Sequence, residues 1–307
     1  MAPPNSPDAP ARASQGRPGR SNLVTRILSA LVLIPVVAAA VWAGRPWFDI
    51  LVILFAGLMA WEWARISGRR RDPADPSPAA RLPVGNWTPA GVILVLLVLL
   101  LLAIDRCPGM AALDWPIWLL VPGAAVLAIL GAWSAHGSRA LWYGLGVFYV
   151  AVPSLALLWL RDDPVTGLGF ETLIWILALV IATDTGAYAA GRSIGGPKLA
   201  PRISPNKTWS GLCGGILAAA LVGLTAALWL DHASIWKLMI LSGVLAVIEQ
   251  MGDLFESAFK RRFGIKDSSH IIPGHGGVLD RVDGLLAVSV AVAALDYLGK
   301  GSVLSWL

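Results

Sequence analysis

A chain of 307 residues with 56% hydrophobic and only 14% charged residues, 15 Trp and a mean hydropathy of +0.68 is too apolar to stay in solution. That excludes a soluble globular enzyme and predicts an all-α, polytopic integral membrane protein with about nine transmembrane helices. The net charge of +5 suits anionic lipid headgroups, and no basic stripe with interleaved aromatics marks a nucleic-acid partner.

Residues 1–22 form a Pro-, Ser- and Arg-rich tail, expected to be disordered, without the apolar core of a signal peptide. The first apolar run has no small-residue cleavage site, so it is read as a retained helix. Stretches of roughly 20 mostly apolar residues then follow at 23–43, 47–66, 87–104, 115–133, 140–160, 172–191, 208–230, 236–257 and 283–298. Trp residues flank several of them, as interfacial rings do. Residues 23–170 are read as an N-terminal set of transmembrane helices, and 171–307 as a catalytic region with loops at 192–207 and 258–282. Cys107 and Cys213 fall at different depths or faces, so they are read as inert thiols without a structural disulfide.

Counting Lys and Arg on each side of these spans gives 19 against 5 in favour of a cytoplasmic N-terminus. The positive-inside rule then predicts N-in, C-out, with the two loops and residues 67–86 facing the cytoplasm.

Carboxylates inside apolar segments are costly and mark function by default. Asp184 precedes Arg192 by eight residues and Asp253 precedes Lys260 by seven, which places both roughly 10 to 12 Å inside the cytoplasmic helix ends at about 1.5 Å per residue. Glu249, Asp253 and Glu256 share one stripe of the eighth helix, and Asp280 and Asp283 project to one side of the ninth. The four aspartates Asp184, Asp253, Asp280 and Asp283 are therefore expected to converge as ligands of a hard cation such as Mg2+. No His/Cys spacing suits zinc. The bland alternative is a buried network of aspartates with Lys or Arg that ties helices together.

The run SAFKRRFGIKDSSHIIPGHGGVLDRVD over 257–283 supplies the opposite charge. Lys260, Arg261, Arg262 and Lys266 suit phosphate oxygens, although a positive-inside anchor has the same composition. Gly274, Gly276 and Gly277 around His275 allow close backbone approach to a ligand. In the loop between the sixth and seventh helices, Ser204, Lys207 and Thr208 suggest phosphate contacts at a helix N-terminus. Pro201 and Asn206 stand where a Walker A loop needs glycine. The Asp280-to-Gly284 stretch also departs from the alcohol phosphatidyltransferase motif, which continues with Ala-Arg where Ala287 is followed by Val288.

Ser257, Phe259, Lys260, Arg261, Lys266, Asp267, Ser269, Pro273, His275, Gly276, Gly277, Asp280, Arg281 and Asp283 together resemble the signature of phosphatidate cytidylyltransferases, also called CDP-diacylglycerol synthases. The stretches TDTGAYAAGRSIG and ISPNKTWSG and the pair Gly252-Asp253 are similar to that family too. The resemblance covers roughly 181–286. It implies that CTP and phosphatidate react to give CDP-diacylglycerol and pyrophosphate, with Mg2+ and a second, monovalent cation such as K+. It also implies a homodimer in the inner membrane of a bacterial-type cell, with membrane lipids as partners and the site facing the cytoplasm. On this reading Asp253, Asp280, Asp283, Lys260 and His275 are catalytic. Ser204, Lys207, Thr208, Arg261, Lys266, Gly276, Gly277 and Arg281 contact substrate. Asp253, Asp280 and Asp283 hold metal, and Asp184 orients it or holds the second cation. The competing classes are a CTP-dependent polyprenol or phytol kinase, which would transfer the γ-phosphoryl group, and a cation-coupled transporter. Against the transporter, the chain has no duplicated halves and its acids lie toward one membrane face.

Overall fold

The structure is a computed structural model that describes residues 20–69, 88–106, 120–163, 165–230, 234–272 and 276–306. Its nine long helices are α1 (Arg20–Ala43), α2 (Trp47–Gly68), α3 (Pro89–Asp105), α4 (Leu120–His136), α5 (Ala140–Asp162), α6 (Gly169–Ser193), α7 (Trp209–Trp229), α8 (Ile235–Arg262) and α9 (Leu279–Gly299). A single turn, α10 (Val303–Trp306), follows. Six described stretches are long and apolar enough to cross a membrane, α4 and α5 counting together; the described part of α1 and α3 are shorter apolar helices. The chain is thus an all-α membrane protein, as the composition requires. Most of the loop at 67–86, Cys107 and nearly all of the 1–22 tail lie outside the described residues, while Cys213 is exposed on α7.

The loop at 192–207 is not wholly irregular. It holds a two-stranded antiparallel hairpin, β1 (Lys198–Ala200) with β2 (Ser204–Thr208), in the register Lys198 to Thr208 and Ala200 to Ser204. Pro197, Pro201 and Pro205 forbid a helix through this stretch, and an exposed hairpin tolerates prolines because its outer edge needs no donor.

Helices α2 to α5 pack into one group and α6 to α9 into another, with α5 also packed on α9 and α6. Small residues bring the C-terminal helices close. A Cβ on Gly186 of α6 would stand 2.6 Å from the Gly214 carbonyl of α7, so only glycine allows this approach. At one end of the bundle Arg45, Asp49, Asp105, Arg106 and Asp162 tie α2, α3 and α5 together. Arg106 lies 2.5 Å from Asp162 and 2.6 Å from Asp105. The opposite end gathers the C-terminus of α2, the N-terminus of α5, the C-termini of α6 and α8, and the N-terminus of α9.

Two helix ends differ from the sequence expectation in a way that matters for the site. α8 continues to Arg262, so Lys260, Arg261 and Arg262 form its last turn, where cations stabilise the negative end of the helix dipole. α9 begins at Leu279, a turn early, because the backbone N–H groups of Gly277, Val278 and Leu279 find carboxylate acceptors. The irregular loop is therefore 263–278.

Candidate active site

Helical spacing sets one polar stripe on α8, running Glu249, Asp253, Glu256 and Lys260. It forms the spine of the site. The Gln250 amide donates to Glu249 Oε2 at 2.7 Å and accepts from Lys207 Nζ at 2.9 Å. Lys207, carried by β2, also lies 2.6 Å from Asp253 Oδ2, while Ser257 Oγ donates to Asp253 Oδ1 at 3.2 Å. Asp184 of α6 stands within electrostatic range of Asp253, Lys207 and Arg281, with Glu249 beside it. Asp283 of α9 faces Asp253, Asp184 and Lys260 in the same sense. Its one described hydrogen bond is local, from the Gly284 N–H at 2.9 Å.

Asp280 has a different environment. It accepts from Lys260 Nζ at 2.6 Å, from Ser268 N at 3.0 Å and from Gly277 N at 2.9 Å. Lys260 is buried and lies 2.5 Å from Glu256 on its other side. Lys260 and Asp280 thus join α8, α9 and both ends of the 263–278 loop through a paired, buried charge, and removing one partner typically costs about 3–5 kcal/mol. So the four aspartates do not form one ring. Asp184, Asp253 and Asp283 share one side, and Asp280 anchors the loop.

Other expected site residues are distributed unevenly. Ser204 opens β2 and is half-buried. The Thr208 hydroxyl caps α7 by accepting from the Gly211 N–H at 3.1 Å, so it is engaged as a helix cap. Arg261 Nη1 donates to the Ile265 carbonyl at 2.8 Å, which folds it onto its own loop. Lys266 and Arg281 are exposed, and Arg281 reaches the field of Asp184. Gly276 pairs with Ile272 across the loop. His275 lies outside the described residues.

Sequence reasoning passes over the residue that holds this loop. Glu62, fully buried in α2, accepts from Ser269 Oγ at 2.5 Å, Ser268 Oγ at 3.2 Å, Val278 N at 3.0 Å and Leu279 N at 2.7 Å. It caps α9 from another helix. Its neighbour Trp63 stacks on Phe259 of α8 with ring centroids 3.7 Å apart, and Arg69 Nη1 donates to the Gly264 carbonyl at 3.2 Å. The C-terminal segment of α2 therefore grips the 263–278 loop through Glu62 and Arg69 and the adjoining end of α8 through Trp63. The signal was available, since Glu62 is an acid inside an apolar stretch and falls under the rule that singled out Asp253.

Gly277 sits against this anchor. A Cβ there would meet Ser268 Oγ at 1.9 Å and Glu62 Oε1 at 2.4 Å. Gly277→Ala is expected to displace the loop and lower activity by roughly ten-fold or more, since a misplacement near 1 Å is enough to cost about a hundred-fold. Wild-type activity in this variant would contradict the packing.

Among the described residues, no three His, Cys, Asp or Glu side chains stand close enough to hold one metal ion among them. The donor chemistry nonetheless fits Mg2+, which binds through one or two carboxylates and takes its remaining ligands from water and phosphate. Asp253 and Asp283 would be the two carboxylates of such a site.

Residues 24–298 match the cytidylyltransferase family. The phosphatidate cytidylyltransferase of Brucella suis is 40% identical over 279 residues, covering 91% of this chain and 93% of that protein. That of Pseudomonas aeruginosa is 34% identical over 279 residues, covering 89% and 96% respectively. That of Haemophilus influenzae is 33% identical over 289 residues, covering 86% and 95%.

Proposed function

We propose, from the premise that this chain belongs to the cytidylyltransferase family, that it is a phosphatidate cytidylyltransferase of phospholipid biosynthesis. The observation that carries the site assignment is the grouping of Asp184 and Asp283 about Asp253, which Lys207 pairs, beside a loop fixed by Lys260 and Asp280.

The reaction is a substitution at the α-phosphorus of CTP. A phosphate oxygen of phosphatidate forms the new P–O bond, and the bond to the β-phosphate breaks to release pyrophosphate. The second pKa of a phosphate monoester is about 6, so the lipid phosphate is largely dianionic at neutral pH and attacks without a strong base. The obstacle is repulsion between two anions. Asp253 and Asp283 would hold Mg2+, which would supply charge neutralisation for the α-phosphate and the leaving pyrophosphate. Asp184, beside Glu249, suits a second, monovalent cation.

Lys207 uses two of its three N–H donors on Asp253 and Gln250, which aims the ammonium at the site and leaves one donor for a phosphate oxygen. Lys260 is held in the same way by Glu256 and Asp280. The loop backbone at Gly276 and Gly277 then lines the approach to these two cations.

In this reading all nine helices belong to the membrane unit, the N-terminus is cytoplasmic, and the acidic site opens at the cytoplasmic rim. The Lys and Arg asymmetry of 19 against 5 supports that orientation. It brings phosphatidate, whose phosphate sits at headgroup level, to a nucleotide arriving from water.

The test uses the purified full chain with phosphatidate, Mg2+ and CTP labelled at the α-phosphate. Label is expected in the lipid, with one pyrophosphate released per lipid labelled and no product when any component is omitted. Transfer of label from the γ-position instead would identify a kinase and overturn the assignment.

A further inference from the structure

Tyr149 lies on α5, in the half of the chain that sequence reading treats as helical scaffold. Its ring stacks on Trp63 of α2 with centroids 4.8 Å apart, and lies 5.3 Å from Phe255 of α8. These contacts leave the ring little freedom to turn. The hydroxyl oxygen is buried and has no hydrogen-bond partner among the described residues. Yet Asp283, Glu256 and Asp253 all stand within electrostatic range of it.

That combination needs a cause. A buried phenol normally finds an acceptor, because an unmade hydrogen bond at a buried donor is costly. Three carboxylates lie nearby, so acceptors are not scarce, but the stacked ring holds the O–H away from hydrogen-bonding distance of each. The donor is therefore left unused beside these acids. These acids come from α8 and α9, and Lys207 pairs Asp253 while Lys260 pairs Glu256.

We infer that the Tyr149 hydroxyl is a substrate-positioning donor, making a hydrogen bond to a phosphate oxygen bound beside Asp253 and Asp283. The inference rests on the proposed reaction. In it α5 contributes a neutral donor where a further cation would pair with the acids and block the site. Two sources share the ligand chemistry, the nucleotide phosphate and the lipid phosphate.

Tyr149→Phe tests this without a large packing change, because it removes only the hydroxyl. The full chain and the variant are compared for thermal midpoint, kcat, KM for CTP at saturating phosphatidate, and KM for phosphatidate at saturating CTP. The variant is expected to keep or raise its thermal midpoint, since an unpartnered buried group is lost. Its kcat/KM is expected to fall about ten- to a hundred-fold, the scale of a hydrogen bond to a charged group. A change confined to KM for CTP or to KM for phosphatidate identifies which phosphate is held.

Unchanged kinetics in a folded variant overturn the inference. So does a lowered midpoint that accounts for the activity loss, because the hydroxyl is then structural. If the wild-type chain releases no pyrophosphate from CTP and phosphatidate, the proposed reaction falls and the inference with it. If wild type turns over and the variant matches it, only the inference falls.

Discussion

Asp283→Asn is expected to lower turnover by about 10²–10³-fold, the usual effect of deleting one electrostatic group that acts on the reacting phosphates, while leaving the protein folded. The asymmetry between Asp283 and Asp280 carries this expectation. Among the described residues Asp283 accepts from its own neighbour Gly284 alone, and otherwise faces Asp253 and Asp184, which repel it, and Lys260, which attracts it. Asparagine keeps the shape and that local contact but removes the negative charge. Stability should therefore hold or rise, and the Mg2+ concentration needed for half-maximal rate should increase. Asp280→Asn is the contrasting control. Its carboxylate neutralises a buried lysine and receives two backbone N–H groups, so its loss should lower stability by about 3–5 kcal/mol. Measuring thermal midpoint and Mg2+ titration for both variants separates the roles. Normal turnover with ordinary Mg2+ dependence in Asp283→Asn would remove the metal assignment.

The helices were legible because a bilayer demands long apolar runs, and such runs survive errors of several residues at their ends. The ends themselves were less legible. Where α9 begins depends on Glu62, which lies more than 200 positions earlier and supplies acceptors for the first N–H groups of α9. The hairpin at 198–208 was hidden among loop residues because three strand residues give too short a pattern to read. In the site, Asp253 and Asp283 stood out as acids beside apolar sequence, and the resemblance pointed to the same positions. The division of labour between Asp280 and Asp283 did not. They sit three apart on one helix, and only the three-dimensional placement of Lys260 and the loop distinguishes an anchor from an open ligand. Thr208 reads equally well as a phosphate contact or a cap, since both uses place a hydroxyl at a helix N-terminus. The structure shows the cap, through the contact to Gly211. Tyr149 was invisible for a further reason. A tyrosine in an apolar helix is common, and the feature that marks it is a missing hydrogen bond.

Glu62→Gln is expected to cut activity about a hundred-fold, on the scale of a roughly 1 Å misplacement near reacting groups, through its hold on the 263–278 loop. Its two carboxylate oxygens receive four donors: Ser269 and Val278 on Oε1, Ser268 and Leu279 on Oε2. A carboxylate accepts at both oxygens, whereas an amide presents donors at one of them. The serine hydroxyls can rotate to accommodate an amide. The backbone N–H groups of Val278 and Leu279 cannot, so one of them loses its acceptor at a cost of about 1–3 kcal/mol. The negative charge that favours the N-terminus of α9 is lost as well. Both effects fall on 268–279, the segment that positions Gly276, Gly277 and Asp280. Hydrogen exchange should therefore accelerate at 268–279, with the central turns of α8 remaining protected, and the loss of rate should track that local loosening. Glu62→Ala goes further, leaving four buried donors without an acceptor beside a new cavity, and is expected not to yield a folded protein. Glu62→Asp, which retains the charge on a shorter stem, should recover part of the rate lost in Glu62→Gln. A Glu62→Gln protein with wild-type turnover and unchanged exchange at 268–279 would show that the loop is held by Lys260 and Asp280 alone, and that the grip of α2 on the site is dispensable.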